Sequence, residues 1–307
     1  MEWIIIGTIK DQKENNLTSG TLYLCATPIG NLGDITARVL ETLETVDVIA
    51  AEDTRNSIHL LTNFGIKKHL ISYDDKHKYD KAEKIISMLK DGQNVALITD
   101  AGTPAISDPG EALVRMCMDE GIHVTSLPGA AACITALTLS GLPTRRFCFE
   151  GFLPAGKKER AGVLEELKYE KRTIILYEAP HHLKKTLKEL KYALLDEADP
   201  SDDRRLTLCR ELTKKFETVM PLTIRTAIEL YETEEPRGEY VLVIEGTDAE
   251  KVSNAKRQDF SDMSVREHVE MYESQGLDHK SAMKQAALDR GVSKRDIYNA
   301  LLEDKNS

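Results

Sequence analysis

Three runs of this 307-residue sequence concentrate glycine, proline and small residues densely enough to bring backbone amides against a ligand. TPIGNLGD, residues 27–34, separates an apolar segment from a helical one, and its two glycines allow close backbone approach. It matches neither the GxGxxG dinucleotide fingerprint nor the GK[ST] of a P-loop. TDAGTPAISDPG, residues 99–110, holds two prolines and two aspartates, more than a tight strand-to-helix connection needs. LPGAAACITALTLSG, residues 127–141, turns at Pro128 and Gly129 into a helix whose first turn is alanine, where small side chains leave room for a ligand to meet unpaired N–H groups. The first and third runs alone fit a plain turn or close helix packing equally well, whereas a loop as elaborate as the second usually lines a site. Three together at strand ends point to a binding site. No two of the eight histidines fall at ligand spacing with a carboxylate or cysteine partner, so no metal site is expected.

The elements that must position these runs can be read from the apolar periodicity. TLYLCAT reads as a strand, and ITARVLETLETV places Ile35, Val39, Leu40 and Leu43 at helical spacing. Strands DVIAAED, HLISYD, NVALITD and HVTSLP then alternate with helices around 57–64, in DKAEKIISMLKDG, over 110–121 and in AACITALTLSG. Alternation of this kind implies a mostly parallel sheet covered on both faces. A second unit begins near Phe147 with FCFEGF, the charged loop PAGKKER, helix GVLEELKYE and strand RTIILYEA. In the next helix Leu183, Leu187, Leu190 and Leu194 share one face, and LTLCREL and GEYVLVIEG supply further strands. From about residue 251 the chain reads as helical, with Gly291 closing one helix and Ser293 capping the next, in a helix-turn-helix-like order. The expected fold is therefore α/β, with an appendage at 1–20, one α/β domain at 21–143, a second at 144–248 and a small helical domain at 249–307.

Composition limits the function. The chain is 41% hydrophobic and 30% charged, with no apolar run near the roughly 18 residues that cross a bilayer. The opening MEWIIIGTIK lacks the basic start and the cleavage site of a signal peptide. Five scattered cysteines inside apolar runs suit buried thiols better than disulfides, which points to the cytoplasm. The net charge of −10 excludes a uniformly basic nucleic-acid coat. From Lys251 onward ten basic and ten acidic residues balance, so the negative excess lies before that point.

Taken in order, TLYLCATPIGNLGDIT, AAEDTR, TDAGTPAISDPG, LPGAAACITAL, FCFEGFLP, YEAPHHL, CRELTK and RGEYVLVIEG resemble the motifs of the ribosomal small subunit methyltransferase I family, within the tetrapyrrole-methylase superfamily. The resemblance covers residues 20–246, and the helical tail more loosely. It implies two α/β domains with a cleft holding S-adenosylmethionine, and 2′-O-methylation of a cytidine (cytidine-1402) in the decoding region of 16S rRNA, within the 30S subunit. The cofactor would touch Pro28, then Ala101, Gly102, Thr103 and Ile106, then Ala131 and Ala132, with Glu178 and Leu212 contributed by the second domain. A homodimer is expected by analogy with superfamily relatives. His182 and Arg237 depart from the commoner arginine and lysine, and each keeps a potential cation.

A ribose 2′-hydroxyl is a weak acid, so its methylation calls for a base, or for a cation that stabilises the developing alkoxide. Candidates are Asp53, Arg55, Asp100, Glu211, Lys214, and His181 or His182; Asp53 and Arg55 fit equally well as a plain ion pair at a strand end. RNA would be held by local clusters, namely Arg55, Lys157, Lys158, Arg160 and Lys214. The fold also permits methylation of a corrin or porphyrin intermediate. A cofactor-responsive regulator is a weaker alternative, because a DNA-reading tail normally presents a net basic face.

Overall fold

The computed structural model describes residues 19–74, 78–196, 199–248, 260 and 263–303. The appendage expected over residues 1–20 lies outside them except for its last two residues, as does most of the linker after residue 248.

Five short strands, β1 (Leu22–Cys25), β2 (Val48–Ala51), β3 (His69–Ser72), β4 (Val95–Ile98) and β5 (Val124–Leu127), form a wholly parallel sheet in the order β3-β2-β4-β1-β5. Because side chains alternate across a strand, Leu22 and Leu24 face one side of β1 while Tyr23 and Cys25 face the other. On the first side pack α3 (Lys78–Lys90) and α4 (Glu111–Asp119), through Ile85, Leu89, Leu113 and Cys117. On the second side pack α1 (Ala37–Thr45) and α2 (Thr54–Asn63), through Val39, Leu43 and Leu61. Each of these two helices starts at a side chain that accepts a backbone N–H: Thr36 caps α1 and Asp53 caps α2. The expected parallel sheet with two covered faces is present.

The second sheet is mixed, in the order β6-β7-β10-β8-β9, built from β6 (Phe147–Phe152), β7 (Thr173–Glu178), β8 (Arg205–Arg210), β9 (Thr218–Thr223) and β10 (Tyr240–Ile244). β6 and β7 run parallel, whereas β10 pairs antiparallel with β7 and β8, and β8 with β9. Helices α6 (Lys157–Lys168), α7 (Pro180–Leu194) and α8 (Ile224–Thr233) cover its outer face over Ile174, Leu176, Leu206, Leu208 and Leu242. The sequence reading leaves β9 and α8 unassigned. Pro221 argues against a central strand, and it is tolerated here because β9 is an edge strand with one unpaired side.

The inner face of this second sheet is covered by α5 (Ala132–Leu139), a helix that follows β5 in sequence. Its Cys133, Ala136 and Leu137 pack on Ile175, Cys209, Val241 and Val243, and Thr207 donates to the Ser140 carbonyl at 2.8 Å. One helix thus ties the first α/β domain to the second. The chain ends in three helices, α9 (Val265–Ser274), α10 (His279–Arg290) and α11 (Lys294–Glu303), around their own small core of Val269, Met283, Ala286 and Ile297. Gly291 closes α10 at φ +63 in the left-handed region, as its position suggests.

Candidate cofactor cleft

β4, β1 and β5 are adjacent in the first sheet, so the three glycine-rich runs that follow them lie side by side at its carboxyl edge. That is where open α/β sheets bind ligands. The runs are also joined to one another. Thr27 and Gly102 exchange backbone hydrogen bonds of 2.8 and 3.1 Å, and the Thr103 hydroxyl donates to the Ala130 carbonyl at 3.0 Å. Gly102 adopts φ +85, and a Cβ there would lie 3.4 Å from Ile29 Cγ2.

The second domain closes over this edge. Ile29, Ala131 and Ala132 pack into the same apolar cluster as Leu212 and Tyr177. The Tyr177 hydroxyl accepts the Cys133 N–H at 3.1 Å, so it satisfies one amide at the start of α5. Lys214 reaches back across Gly30, where an added Cβ would lie 2.3 Å from Lys214 Cγ. Non-glycine residues with positive φ occur at Ala105 and Ser107 in the second loop, and at Glu211 and Thr213 in the loop after β8. Such conformations cost about 1–3 kcal/mol each and cluster at functional sites.

Of the residues expected to touch the cofactor, Gly102 and Thr103 lie in the joined loops, and Ala131, Ala132 and Leu212 share one apolar cluster; the set differs in exposure. Gly102 and Leu212 are buried, Pro28, Thr103, Ala131 and Ala132 are half-buried, and Ala101 and Ile106 are exposed. Glu178 is buried, with one carboxylate oxygen accepting the Ala179 N–H at 2.8 Å and the other the Thr186 hydroxyl. Its side chain is thus occupied within the second domain, and what it can offer a ligand is backbone. Two buried hydroxyls at the cleft loops, Thr99 Oγ1 and Thr213 Oγ1, have no hydrogen-bond partner among the described residues. Neither was singled out from sequence. Unsatisfied buried hydroxyls beside small-residue loops fit a polar, partly apolar ligand such as a nucleoside-bearing sulfonium.

The charged candidates divide by state. Asp53 caps α2 and binds its own Arg55 through bonds of 2.6 and 3.1 Å, and the Arg55 guanidinium lowers the Asp53 pKa to about 2. Arg55 itself is 86% exposed. Glu211 accepts the Glu239 N–H at 2.9 Å and Lys214 Nζ at 3.0 Å, and these bonds hold its pKa down despite partial burial. Burial opposes the charge on Lys214, but hydrogen bonds to Glu239, at 2.8 Å, and to Glu211 outweigh it and raise its pKa. Asp100, at the end of β4, accepts from the neutral amide of Asn56 at 2.8 Å. His181 and His182 are exposed at the start of α7, with ring centroids 4.1 Å apart.

Lys157 and Lys158 are exposed in the first turn of α6. Arg160, grouped with them from sequence, does not belong to that surface. Its side chain is only 11% exposed and is ion-paired to Glu189 at 2.7 Å. It also donates to Thr186 and to the Leu153 and Pro154 carbonyls. One helical turn beyond Lys157, the chain points inward between α6 and α7. Among the described residues no three His, Cys, Asp or Glu side chains gather as a metal cradle, and no helix is long and apolar enough to cross a membrane. All five cysteines are buried and free.

Residues 21–228 match the family described as Tetrapyrrole (Corrin/Porphyrin) Methylases. Solved structures of similar fold include diphthine synthase, with a TM-score of 0.58 at 16% identity over 74% of this chain and 90% of that one. Uroporphyrin-III C-methyl transferase from Thermus thermophilus, complexed with S-adenyl homocysteine, gives 0.52 at 16% identity over 74% and 97%. Two curated relatives are much nearer in sequence, and each bears the name Ribosomal RNA small subunit methyltransferase I. That of Bacillus subtilis is 46% identical over 92% of this chain and 94% of its own length. That of Escherichia coli O157:H7 is 42% identical over 97% and 100%. The chain belongs to the tetrapyrrole methylases and, within them, to the ribosomal RNA small subunit methyltransferase I family of enzymes.

Proposed function

We propose that the protein transfers a methyl group from S-adenosylmethionine to the ribose 2′-hydroxyl of a cytidine, cytidine-1402, in 16S rRNA within the 30S subunit. The observation that carries this reading is the near-full-length similarity to relatives bearing the rRNA methyltransferase name. The cleft supports it, because small-residue loops of one domain meet Leu212 and Tyr177 of the other around unsatisfied hydroxyls.

When bound, S-adenosylmethionine supplies a sulfonium methyl, so that an O–C bond forms as the S–C bond breaks and the 2′-hydroxyl proton is released. The chain's task is to align the acceptor oxygen and take up that proton. Asp53 and Glu211, with lowered pKa values, are poor proton acceptors at neutral pH. Lys214 stays protonated and suits the stabilisation of a developing alkoxide. Asp100 directly precedes the Ala101–Thr103 stretch of the second loop and is oriented by the Asn56 amide, and on this placement we assign the proton to it. Ile29, Ala131, Ala132 and Leu212 exclude water from the apolar side of the cleft. Lys157, Lys158 and Arg55 form the phosphate-facing cations. The lysines sit where the first amides of α6 also favour anions.

Five buried free thiols support a cytoplasmic setting, and a homodimer is proposed by analogy with the superfamily. The substrate assignment is tested by offering 30S subunits, free 16S rRNA and a corrinoid precursor separately with labelled S-adenosylmethionine. Label is expected in the 30S subunits; label in the corrinoid alone would overturn the assignment.

A further inference from the structure

Beside the cofactor loops lies a cavity of about 410 Å³ whose walls include Tyr73, Ala105, Ser107, Asp108, Glu111 and Met116. Its volume is in the range of about 300–1,000 Å³ typical of small-ligand sites. Ala105 and Ser107 belong to the 99–110 loop and are held at φ +68 and +61, conformations that persist only where the surroundings impose them. The second domain reaches the same wall. Gly151 adopts φ +61, and a Cβ on it would lie 2.7 Å from Ser107 Oγ.

Next to Gly151, Phe152 is 57% exposed, yet it belongs to a ring cluster, 5.6 Å from Tyr177, which is itself 4.9 Å from Phe149. Asp108 follows Ser107, the residue against which Gly151 of the second domain packs, so the carboxylate and the ring cluster stand on the two sides of that contact. A carboxylate-walled cavity beside an exposed aromatic ring suits a nucleobase. Every base has a face that stacks, and an exocyclic amine can donate to a carboxylate.

We propose that this cavity receives the extruded cytosine of the target nucleotide, with Asp108 accepting from the 4-amino group and Phe152 stacking on the base. The identity of the base rests on the function proposed above. An ionised carboxylate only accepts hydrogen bonds, so it favours cytosine, with its amino donor, over uracil, whose O4 is an acceptor. Glu111 and Arg115, which also line the cavity, pair with each other at 3.2 Å, so the contact with the base is assigned to Asp108. Extrusion lets the base occupy this cavity while its ribose faces the adjoining cofactor loops.

The test compares two 30S substrates that differ only in cytidine or uridine at the target position, using the wild-type chain, Asp108→Asn, Phe152→Ala and Phe152→Trp. Calorimetric affinity for S-adenosylmethionine reports whether each variant keeps its folded cleft. The wild-type chain should favour cytidine in kcat/KM by about tenfold or more. Asp108→Asn presents an amide that can donate to O4, so the ratio should fall towards one. Phe152→Ala should raise KM for both RNAs without changing the ratio, and Phe152→Trp should restore it. An unchanged ratio in Asp108→Asn, or an unchanged KM in Phe152→Ala, overturns the proposal. So does loss of cofactor affinity in Asp108→Asn, which would assign the residue to the cofactor. Loss of activity on both RNAs at normal cofactor affinity overturns it too, because the amide retains an acceptor for the cytosine amine. Failure of the wild-type chain to methylate any RNA would remove the function itself, and this inference with it.

Discussion

Asp53 and Glu211 are both held below the ordinary carboxylate range and Lys214 is held protonated, and the role proposed above for Asp100 can be tested directly. Asp100→Asn should lower kcat by about 100-fold or more, the usual contribution of a positioned base, with cofactor affinity unchanged in calorimetry. A drop in cofactor affinity with little change in kcat would contradict the role. A second carboxylate shows how the same physics acts on stability. Hydrogen bonds from Arg172 lower the Glu170 pKa from 4.5 to about 2. Because the folded value lies below the unfolded one, the stabilisation is fully present above about pH 4.5 and is lost as pH falls through about 2. Denaturant titration should therefore find Glu170→Gln less stable than wild type at pH 6, with the gap closing towards pH 2. Residue types and order made the cofactor loops legible in the sequence. Which of two readings holds depends on local geometry: the plain Asp53–Arg55 ion pair, one of the alternatives the sequence left open, is the one present.

At the scale of elements, α6 separates two roles that sequence adjacency merges. Lys157 and Lys158 lie on its exposed first turn, whereas Arg160 is turned towards α7, Glu189 and Thr186. Arg160→Ala should cost stability, roughly 1.5–3 kcal/mol for the lost charged hydrogen bonds, in chemical denaturation. Lys157→Ala with Lys158→Ala should leave stability unchanged and reduce the logarithmic salt slope of RNA binding by about 0.7–0.9 per lost contact. A wild-type salt profile in the double variant would remove the α6 turn from the RNA path. The glycines of the first two loops also act at this scale. Gly102→Val is attractive from sequence as a clean block of the cofactor, but φ +85 and the paired bonds to Thr27 mean that it strains the loop as well. The parallel sheet was legible because its strands and helices alternate in period. β9 and α8 were missed because Pro221 hid an edge strand, although Thr223 and Thr226 carry a capping box that marks the start of α8.

For the whole molecule, two α/β domains joined through α5 enclose the cleft, while three terminal helices keep a core of their own. The packing of α5 on the second sheet could not be read from sequence, because a mostly apolar helix without a charged face does not show which sheet it will cover. Removing the chain from Lys251 should lower activity on ribosomal substrate more than it lowers cofactor affinity, since every cleft residue precedes that point. Equal losses of both would contradict a substrate-positioning role for the tail. Light scattering should give the mass of a dimer, and a concentration-independent monomer would refute that part of the account. Nucleoside analysis by mass spectrometry of 30S subunits methylated with isotopically labelled S-adenosylmethionine tests the ribose methylation directly. The label should appear as 2′-O-methylcytidine, approaching one per subunit. Label on a base ring, or none in the RNA, would contradict the assignment of this cleft to ribose methylation.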